Sequence, residues 1–320
     1  MSTWIHRTAA FVSALLLALS PEAAQAFPDK PIRVVVPWGP GGTSDLSMRK
    51  IAEISARSLG QPIVVENKPG ASGVIGMAEV VKTAPDGHTL ALATGATVFI
   101  APTVRTVPFD PMKDLTPIMN YSGSFHGIVV PVDSPWRSVD ELLADAKSKP
   151  GVITYATSGT YDGAHFAMLV ISRLRDVKFQ NVPFTGGATA LTAVLGRHVS
   201  FGVLAGFSEQ VLAGKLRLLA LLDGERMPEF PAVPTLREIG IDWEYPSIMG
   251  IVAPPGLPPA VRAKLEATFT AAARTEEFTQ FMTKIQMPMR VVAGQPFEET
   301  IRREFVRYGK AANEFGIKQP

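Results

Sequence analysis

Short apolar runs rich in β-branched residues alternate along this chain with segments whose apolar residues recur at helical spacing. The first run covers residues 32–36, and a Gly-rich turn at residues 39–42 joins it to a segment with the periodicity of a helix. Two more runs follow at residues 63–65 and 89–92, with a second helical segment between them. Because strand–helix–strand successions favour parallel strands with helices on both faces, this part predicts an α/β sheet.

A second α/β unit is predicted to begin near residue 125. Ser138 is a suitable N-cap for its first helix, and residues 164–174 have the pattern of another. Its predicted strands cover residues 128–130, 153–155, 177–182, 199–203 and 216–222. The chain therefore indicates two α/β units in succession.

The C-terminal part has a different pattern. After a predicted strand at residues 250–253, three amphipathic helices follow with few strands of their own. Such a tail must pack on an existing sheet, so we expect it to return to the first unit. The predicted layout is a discontinuous first lobe (residues 27–124 and 250–320) and an inserted second lobe (residues 125–249), with two crossings near 120–125 and 245–250 that form a hinge.

The N-terminus has the pattern of a secretory signal peptide over residues 1–26. His6 and Arg7 precede an apolar run, Pro21 ends it, and Ala24-Gln25-Ala26 gives a small-x-small cleavage site. The mature chain is then expected to start at Phe27 and to be soluble in the periplasm. The alternative is an uncleaved N-terminal membrane anchor.

Composition excludes several classes of function. The 31 basic and 29 acidic residues give a net charge of +2, so a nucleic-acid-binding surface is not expected. Cysteine is absent, which excludes disulfide scaffolds, thiol catalysis and Cys-ligated metal sites. The five histidines have no metal-ligand spacing, and we expect no metal and no cofactor.

A series of motifs along nearly the whole mature chain resembles the Bug-type receptors of tripartite tricarboxylate transporters. The segments that carry the resemblance are residues 27–32, followed through Val36-Pro37 by residues 40–45, and then residues 65–73, 84–90, 108–111, 181–187, 212–217, 233–235 and 253–258. The resemblance implies a type II periplasmic-binding-protein fold, with two Rossmann-like lobes that close on a ligand across a two-strand hinge. It also implies membrane subunits of such a transporter as partners.

Four loops at the predicted carboxyl ends of strands are candidates for the binding site, because open α/β sheets bind ligands there. Loops one and two belong to the first lobe, and loops three and four to the second. The candidate residues are, in loop one, Trp38, Gly41, Gly42, Thr43, Ser44 and Asp45; in loop two, Thr94, Gly95, Ala96 and Thr97; in loop three, Ser158, Gly159, Thr160 and Tyr161, with His165 behind it; and in loop four, Phe184, Thr185, Gly186, Gly187 and Ala188, with Leu204 after the strand at residues 199–203.

Loop one offers a physical reason to bind a carboxylate without any Arg or Lys. Its small residues let a ligand approach the backbone, and the helix after it, capped by Thr43 or Ser44, presents free N–H groups and the positive end of a dipole. The glycines could instead form only a tight turn. Asp45 is either a water-mediated ligand contact or a first-turn acid that favours the helix dipole.

Structural roles stand beside ligand roles in the other loops. Ser158, Thr160 and Thr185 could be plain helix caps. His165 lies at a helix start and is better explained as a structural hydrogen-bonding residue. In the resembled family these loops hold a ligand carboxylate through backbone amides, hydroxyls and bridging waters.

Three positions depart from the pattern of the resembled family. Thr185 stands where a basic residue is usual, residues 203–206 lack the common Asp, and Ile248-Met249 replace an aromatic residue. The pocket is therefore expected to be less polar, which argues against a tricarboxylate such as citrate. A small mono- or dicarboxylate is expected instead, with an aromatic body flanked by Trp38, Phe99, Tyr161 or Phe184 as one option.

The expected function is that of a monomeric solute-binding receptor and not of an enzyme. The chain has no nucleophile elbow, no His-Glu-x-x-His and no dinucleotide fingerprint after its first strand. A sensor subunit for signalling would use the same lobes and stays open as an alternative, and a hydrolase built on Ser158, His165 and Asp45 is the remaining one.

Overall fold

The computed structural model describes residues 27–318, and the sequence pattern of a signal peptide lies outside them. The first lobe contains β1 (Ile32–Val36), α1 (Thr43–Leu59), β2 (Ile63–Asn67), α2 (Val74–Val80), β3 (Thr89–Thr94), α3 (Ala101–Val104) and β4 (Thr116–Ser122), with a 3₁₀ turn at Ala71–Gly73 and a π-helical turn at Ala96–Ile100. The second contains β5 (Gly127–Pro131), α4 (Val139–Ser148), β6 (Thr154–Thr157), α5 (Gly163–Arg175), β7 (Gln180–Pro183), α6 (Gly187–Leu195), β8 (Phe201–Leu204), α7 (Ser208–Leu212) and β9 (Leu216–Leu221), and a 3₁₀ turn at Arg237–Ile239 follows it. The tail contains β10 (Met249–Ala253), α8 (Pro259–Ala273), α9 (Glu276–Lys284), β11 (Met289–Ala293) and α10 (Gln295–Glu314).

Two mixed sheets organise these elements. One has the order β11-β4-β10-β3-β1-β2, and the other has the order β7-β6-β8-β5-β9. The strands β1, β2 and β3 are parallel, as are β6, β7 and β8, whereas β10 and β5 run antiparallel to their neighbours. Each segment that crosses between the lobes leaves one sheet at the carboxyl ends of its parallel strands and enters the other sheet at the corresponding ends. The strands that follow these crossings, β5 and β10, must therefore run antiparallel to their neighbours.

Two strands in the first sheet have no counterpart in the sequence analysis. In β4, Pro117 and the polar residues Asn120 and Ser122 interrupt the apolar pattern that would signal a strand. The side chain of Asn120 takes part in the pairing: its amide donates to the Arg290 carbonyl (2.7 Å), and its oxygen accepts from the Met249 N–H (3.0 Å). Strand β11 pairs with β4 on the edge, with an irregular register.

The helix start after β1 differs from the expectation in a way that matters for the site. Gly42 is the N-cap of α1, with no side-chain hydrogen bond to the first turn, and Thr43 is already helical. The predicted cap by Thr43 or Ser44 is therefore wrong. By contrast, Ser138 caps α4 as predicted, since its hydroxyl accepts from the Glu141 N–H at 3.2 Å.

The apolar core continues from one lobe into the other. Aromatic rings carry this continuity: Tyr308 of α10 lies 5.0 Å from Phe99 and 4.8 Å from Phe166 of α5, and Phe166 stacks on Trp243 at 5.4 Å. All four belong to one buried cluster that draws on both sheets. The two lobes are thus joined by a packed apolar interface as well as by the two segments that cross between them. Among residues 27–318, no helix combines the length and hydrophobicity that a membrane crossing requires.

Candidate functional site

A cavity of about 870 Å³ lies between the two sheets, at the carboxyl ends of their parallel strands. This volume is within the range of small-molecule sites. Its walls come from both lobes, from the crossing segments and from the tail. The lining includes Trp38, Gly39, Pro40, Leu46, Ser124, His126, Asp162, Gly163, Thr189, Leu191, Ala205, Gly206, Glu209, Leu212, Tyr245, Ser247, Ile248, Met249, Lys284, Ile285 and Gln286.

All four predicted loops reach this cavity, with some of their residues in its wall and others behind it. Lining it are Trp38, Gly41, Gly42, Thr43, Ser44, Thr94, Ala96, Ser158, Thr185, Gly186, Gly187 and Ala188. The predicted residues that do not line it are Asp45, Gly95, Thr97, Gly159, Thr160, Tyr161, His165, Phe184 and Leu204. Of the four aromatic residues expected to flank a ring, Trp38 lines the cavity and Phe99, Tyr161 and Phe184 do not.

Asp45 supports loop one from behind. Its carboxylate accepts from the Gly41 N–H, from Arg49 and from Asn67, each at 2.9 Å. Burial alone would raise the pKa of Asp45, but these hydrogen bonds outweigh it and hold the pKa below its ordinary value. The residue is therefore an ionised brace for the Gly-rich turn.

His165 and Thr97 have similar supporting positions. The ring nitrogen Nδ1 of His165 accepts from the Tyr161 N–H at 2.8 Å, and burial lowers the pKa of this histidine to about 4, so the ring is neutral. Thr97 folds back on loop two, where its hydroxyl donates to the Thr94 carbonyl (3.0 Å) and accepts from the Thr94 N–H (3.1 Å). Phe184 and Leu204 pack in the apolar core of the second lobe.

Two helices present uncapped N-termini to the cavity from opposite lobes. The N-cap residues are Gly42 for α1 and Gly186 for α6, and neither can offer a side chain to the free N–H groups of the first turn. Both N-caps line the cavity, and so does Thr94, whose buried Oγ1 has no hydrogen-bond partner within residues 27–318. This combination of unsatisfied donors suits an anionic oxygen group.

Helix α5 is different because a carboxylate caps it. Asp162 accepts from the His165 N–H at 2.8 Å, and the Ser158 hydroxyl donates to its other oxygen at 2.6 Å. Burial raises the pKa of Asp162 to about 6, against the opposing effect of these hydrogen bonds. The cavity wall therefore contains one acidic group that can be protonated near neutral pH.

Several lining residues were missed in the sequence analysis. Ser124, His126, Tyr245 and Ser247 come from the two crossings, which were predicted as hinge only; their polar side chains were the available signal. Burial lowers the pKa of His126 to about 4, so its ring is neutral, and it packs edge-on against Tyr245 at 4.8 Å. Lys284, near the end of α9, gave no signal, since it reaches the cavity only through the packing of the tail.

The two lobes touch each other across the cleft. The Ser72 hydroxyl of the first lobe donates to the Thr160 carbonyl of the second, and the Tyr161 hydroxyl donates to the Lys318 carbonyl at 3.3 Å. At Gly39, an added Cβ would lie 3.2 Å from the Thr185 carbonyl oxygen, so the lobes approach closely at that point. The structure is a closed arrangement around the cavity.

Comparison with known proteins places the chain in a family. Residues 47–317 match the family described as "Tripartite tricarboxylate transporter family receptor". The chain belongs to this family. The resemblance inferred from the motifs is thereby confirmed, and the family is one of solute-binding receptors.

Relatives of the receptor cover nearly all of its length. The UPF0065 protein in the gbd 5' region of Cupriavidus necator is 38% identical over 303 residues, which span 92% of each chain. The periplasmic binding protein BugD has a TM-score of 0.85 at 25% identity, over 92% of this chain and 100% of BugD. Rpa4515 of R. palustris, solved with adipate, has a TM-score of 0.84 at 26% identity, over 91% of this chain and 99% of Rpa4515. These structures confirm the predicted two-lobe fold of periplasmic binding proteins.

Proposed function

We propose that this receptor captures a small mono- or dicarboxylate between its lobes and delivers it to the membrane subunits of a tripartite tricarboxylate-type transporter. The observation that carries the proposal is the pair of uncapped N-termini, of α1 and α6, that face one cavity from opposite lobes. A carboxylate there can accept hydrogen bonds from backbone N–H groups and from Thr94 without a buried cation. The adipate bound to Rpa4515 supports this ligand class.

A compact trianion such as citrate is a poorer match. His126 is neutral, and the cation that lines the cavity, Lys284, is exposed at its edge. Each additional carboxylate taken into the interior would need a donor or cation to compensate its lost hydration. Trp38, Leu46 and Leu191 give the lining an apolar component suited to the body of a mono- or dicarboxylate.

A thermal-shift and calorimetric screen with benzoate, malate, adipate and citrate tests the ligand class. An acid present at 100 times its Kd stabilises the protein by roughly 2.7 kcal/mol, which is readily measured. We expect binding of at least one of the first three acids and weak binding of citrate. Tight binding of citrate, with no binding of the other three, would contradict the proposal.

The transport role and the periplasmic location need experiments in cells. Deletion should abolish uptake of the bound acid; loss of induction alone, with uptake intact, would favour the sensor alternative. Recovery of the acid intact after incubation separates a receptor from a hydrolase. N-terminal sequencing of periplasmic protein should begin at Phe27, whereas Met1 in a membrane fraction would favour an uncleaved anchor.

A further inference from the structure

The hydrogen bond between Ser158 and Asp162 gives the cavity wall the wrong polarity for an anion. A serine hydroxyl has a single proton, and here it is donated to Asp162 Oδ2 at 2.6 Å. Ser158 can then offer only lone pairs to the cavity that it lines. Beside it stands an ionised carboxylate that is 4% exposed. From these two side chains, a ligand carboxylate meets a negative charge and no hydrogen-bond donor.

One proton resolves this conflict without disturbing the helix cap. The His165 N–H bonds to Oδ1 of Asp162 at 2.8 Å, so Oδ2 can be protonated while the cap is kept. A protonated Oδ2 donates to the Ser158 oxygen, and the Ser158 proton is released to point into the cavity. Uptake of one proton from solvent thus removes the negative charge and converts Ser158 from an acceptor into a donor toward the ligand.

We propose that Asp162 takes up one proton when a carboxylate ligand binds, and that it thereby positions Ser158 to donate a hydrogen bond to that carboxylate. This inference rests on the proposed function and adds that binding is coupled to protons. Asp162 acts through Ser158 and is a positioning residue. Binding should therefore strengthen as the pH falls from 8 to 6.

The surroundings of Asp162 make protonation accessible near neutral pH. Burial raises its pKa to about 6 already without a ligand, and a neighbouring anion would raise the pKa further. Tyr155 and Tyr245, which face it, are neutral phenols whose pKa values burial also raises. His165 and His126 are neutral, with pKa values of about 4. Two other charged side chains line the cavity, Glu209 and Lys284, and both are exposed at its edge.

Calorimetry of the full mature chain with benzoate, malate and adipate provides the test. Titrations at pH 7.5 in bis-Tris, imidazole and Tris use cationic buffers of different ionisation enthalpy, since an anionic buffer could occupy the site. The dependence of the observed heat on buffer should give close to one proton taken up per acid bound. Between pH 6 and 8, Kd should rise by up to about tenfold per pH unit and flatten below pH 6.

The variant Asp162→Asn isolates the effect. Asparagine keeps the oxygen that caps α5 and is neutral at every pH, so we expect no proton uptake, a flat pH profile and, at pH 8, affinity equal to or above that of the wild type. The control Asp223→Asn removes another buried titratable carboxylate, one that does not line the cavity, and should keep the pH slope.

The outcomes separate the two claims. Binding of none of the three acids at any pH would overturn the proposed function, and the proton coupling with it. Binding without proton uptake, or a pH slope that persists in Asp162→Asn, would overturn the coupling alone. If Asp162→Asn fails to fold, the buffer dependence of the wild type still decides whether a proton is taken up. The chemical shift of the Asp162 carboxyl, measured with and without adipate, also reports its protonation. The signal is assigned by its absence in the Asp162→Glu variant.

Discussion

The side-chain hydroxyl of Ser72 donates a hydrogen bond to the backbone carbonyl of Thr160, directly from one lobe to the other. Ser72 lies in a short turn after β2 with a positive φ of 50°, and its neighbour Ala71 has a φ of 47°. Such values are uncommon for residues other than glycine and persist only where the surrounding structure enforces them. The contact belongs to the closed arrangement, because it requires that the two loops meet.

Ser72→Ala should weaken the closed state. Loss of one hydrogen bond corresponds to about 1 kcal/mol, or roughly a fivefold increase in the Kd of a bound acid. Small-angle scattering should show that the wild type becomes more compact when adipate is added to saturation. Without adipate, the variant should contain a smaller fraction of closed molecules than the wild type. The control Ser148→Ala loses only hydrogen bonds within its own helix end, to the carbonyl and carboxylate of Asp145, and should bind like the wild type. An equal effect of both variants would contradict the prediction.

Ser158→Ala should reduce the affinity for a carboxylate by roughly 1–2 kcal/mol when measured at pH 5.5, the effect of one charge-assisted hydrogen bond. Ser158 lines the cavity, and its hydroxyl also bonds to the buried Asp162 carboxyl at 2.6 Å, so the free energy of unfolding should fall as well, by about 1–3 kcal/mol. Calorimetry gives the first quantity and urea denaturation the second. Unchanged affinity would mean that the ligand carboxylate binds elsewhere in the cavity.

Lys284→Gln should discriminate between acids. Lys284 lies at the edge of the cavity and is exposed, so it can attract the outer carboxylate of a dicarboxylate but adds little for a monocarboxylate. We expect adipate to bind about two- to fivefold more weakly, an effect that salt reduces, and benzoate to be unaffected. Lys82→Gln, at an exposed position outside the cavity, is the matched control. Equal weakening of both acids would contradict this assignment.

Asp223→Asn should stabilise the protein at high pH. Burial raises the pKa of Asp223 to about 7, despite the His126 N–H bond to its carboxylate. The folded state therefore binds the proton more tightly than the unfolded state, and this contribution is fully present below about pH 4 and is lost as the pH rises through 7. The variant has no carboxyl group to ionise at this position, so its stability does not fall in this pH range. It should therefore be more stable than the wild type by roughly 2–4 kcal/mol at pH 8.

Urea denaturation of both proteins at pH 4.5 and pH 8 checks this prediction. The difference in the free energy of unfolding between the two proteins isolates the contribution of Asp223, because the other buried groups are common to both. Among these, the raised pKa of Asp162 changes stability with pH in the same direction as Asp223, and the lowered pKa values of His126 and His165 change it in the opposite direction. We expect the two proteins to be nearly equal in stability at pH 4.5. The same stability difference at both pH values would contradict the assignment.

Local sequence patterns were sufficient for most of the framework. Apolar, β-branched runs such as Ile32–Val36 specify strands, because alternate residues must be buried on the two faces of a sheet. The three tail helices follow from local periodicity in the same way, and the Gly-rich loop follows from its composition. The position of the four loops in one cavity follows from a general property of parallel strands, whose carboxyl ends share one edge.

Tertiary structure alone decided the rest. Strand β4 pairs with β10 and β11, and Asn120 adds a side-chain hydrogen bond to each of them; no local pattern shows these partners. Lys284 and the crossing residues His126 and Tyr245 enter the wall through packing between segments far apart in the chain. Asp162 lines the cavity and Asp45 does not, although the carboxylate of each is hydrogen-bonded near its own helix start, so no local pattern distinguished the two. The sequence by itself determined most of the elements, because they depend on local burial, and it determined which loops converge, because parallel strands end at one edge of a sheet. Which side chains line the cavity, and with what charge, depended on long-range contacts.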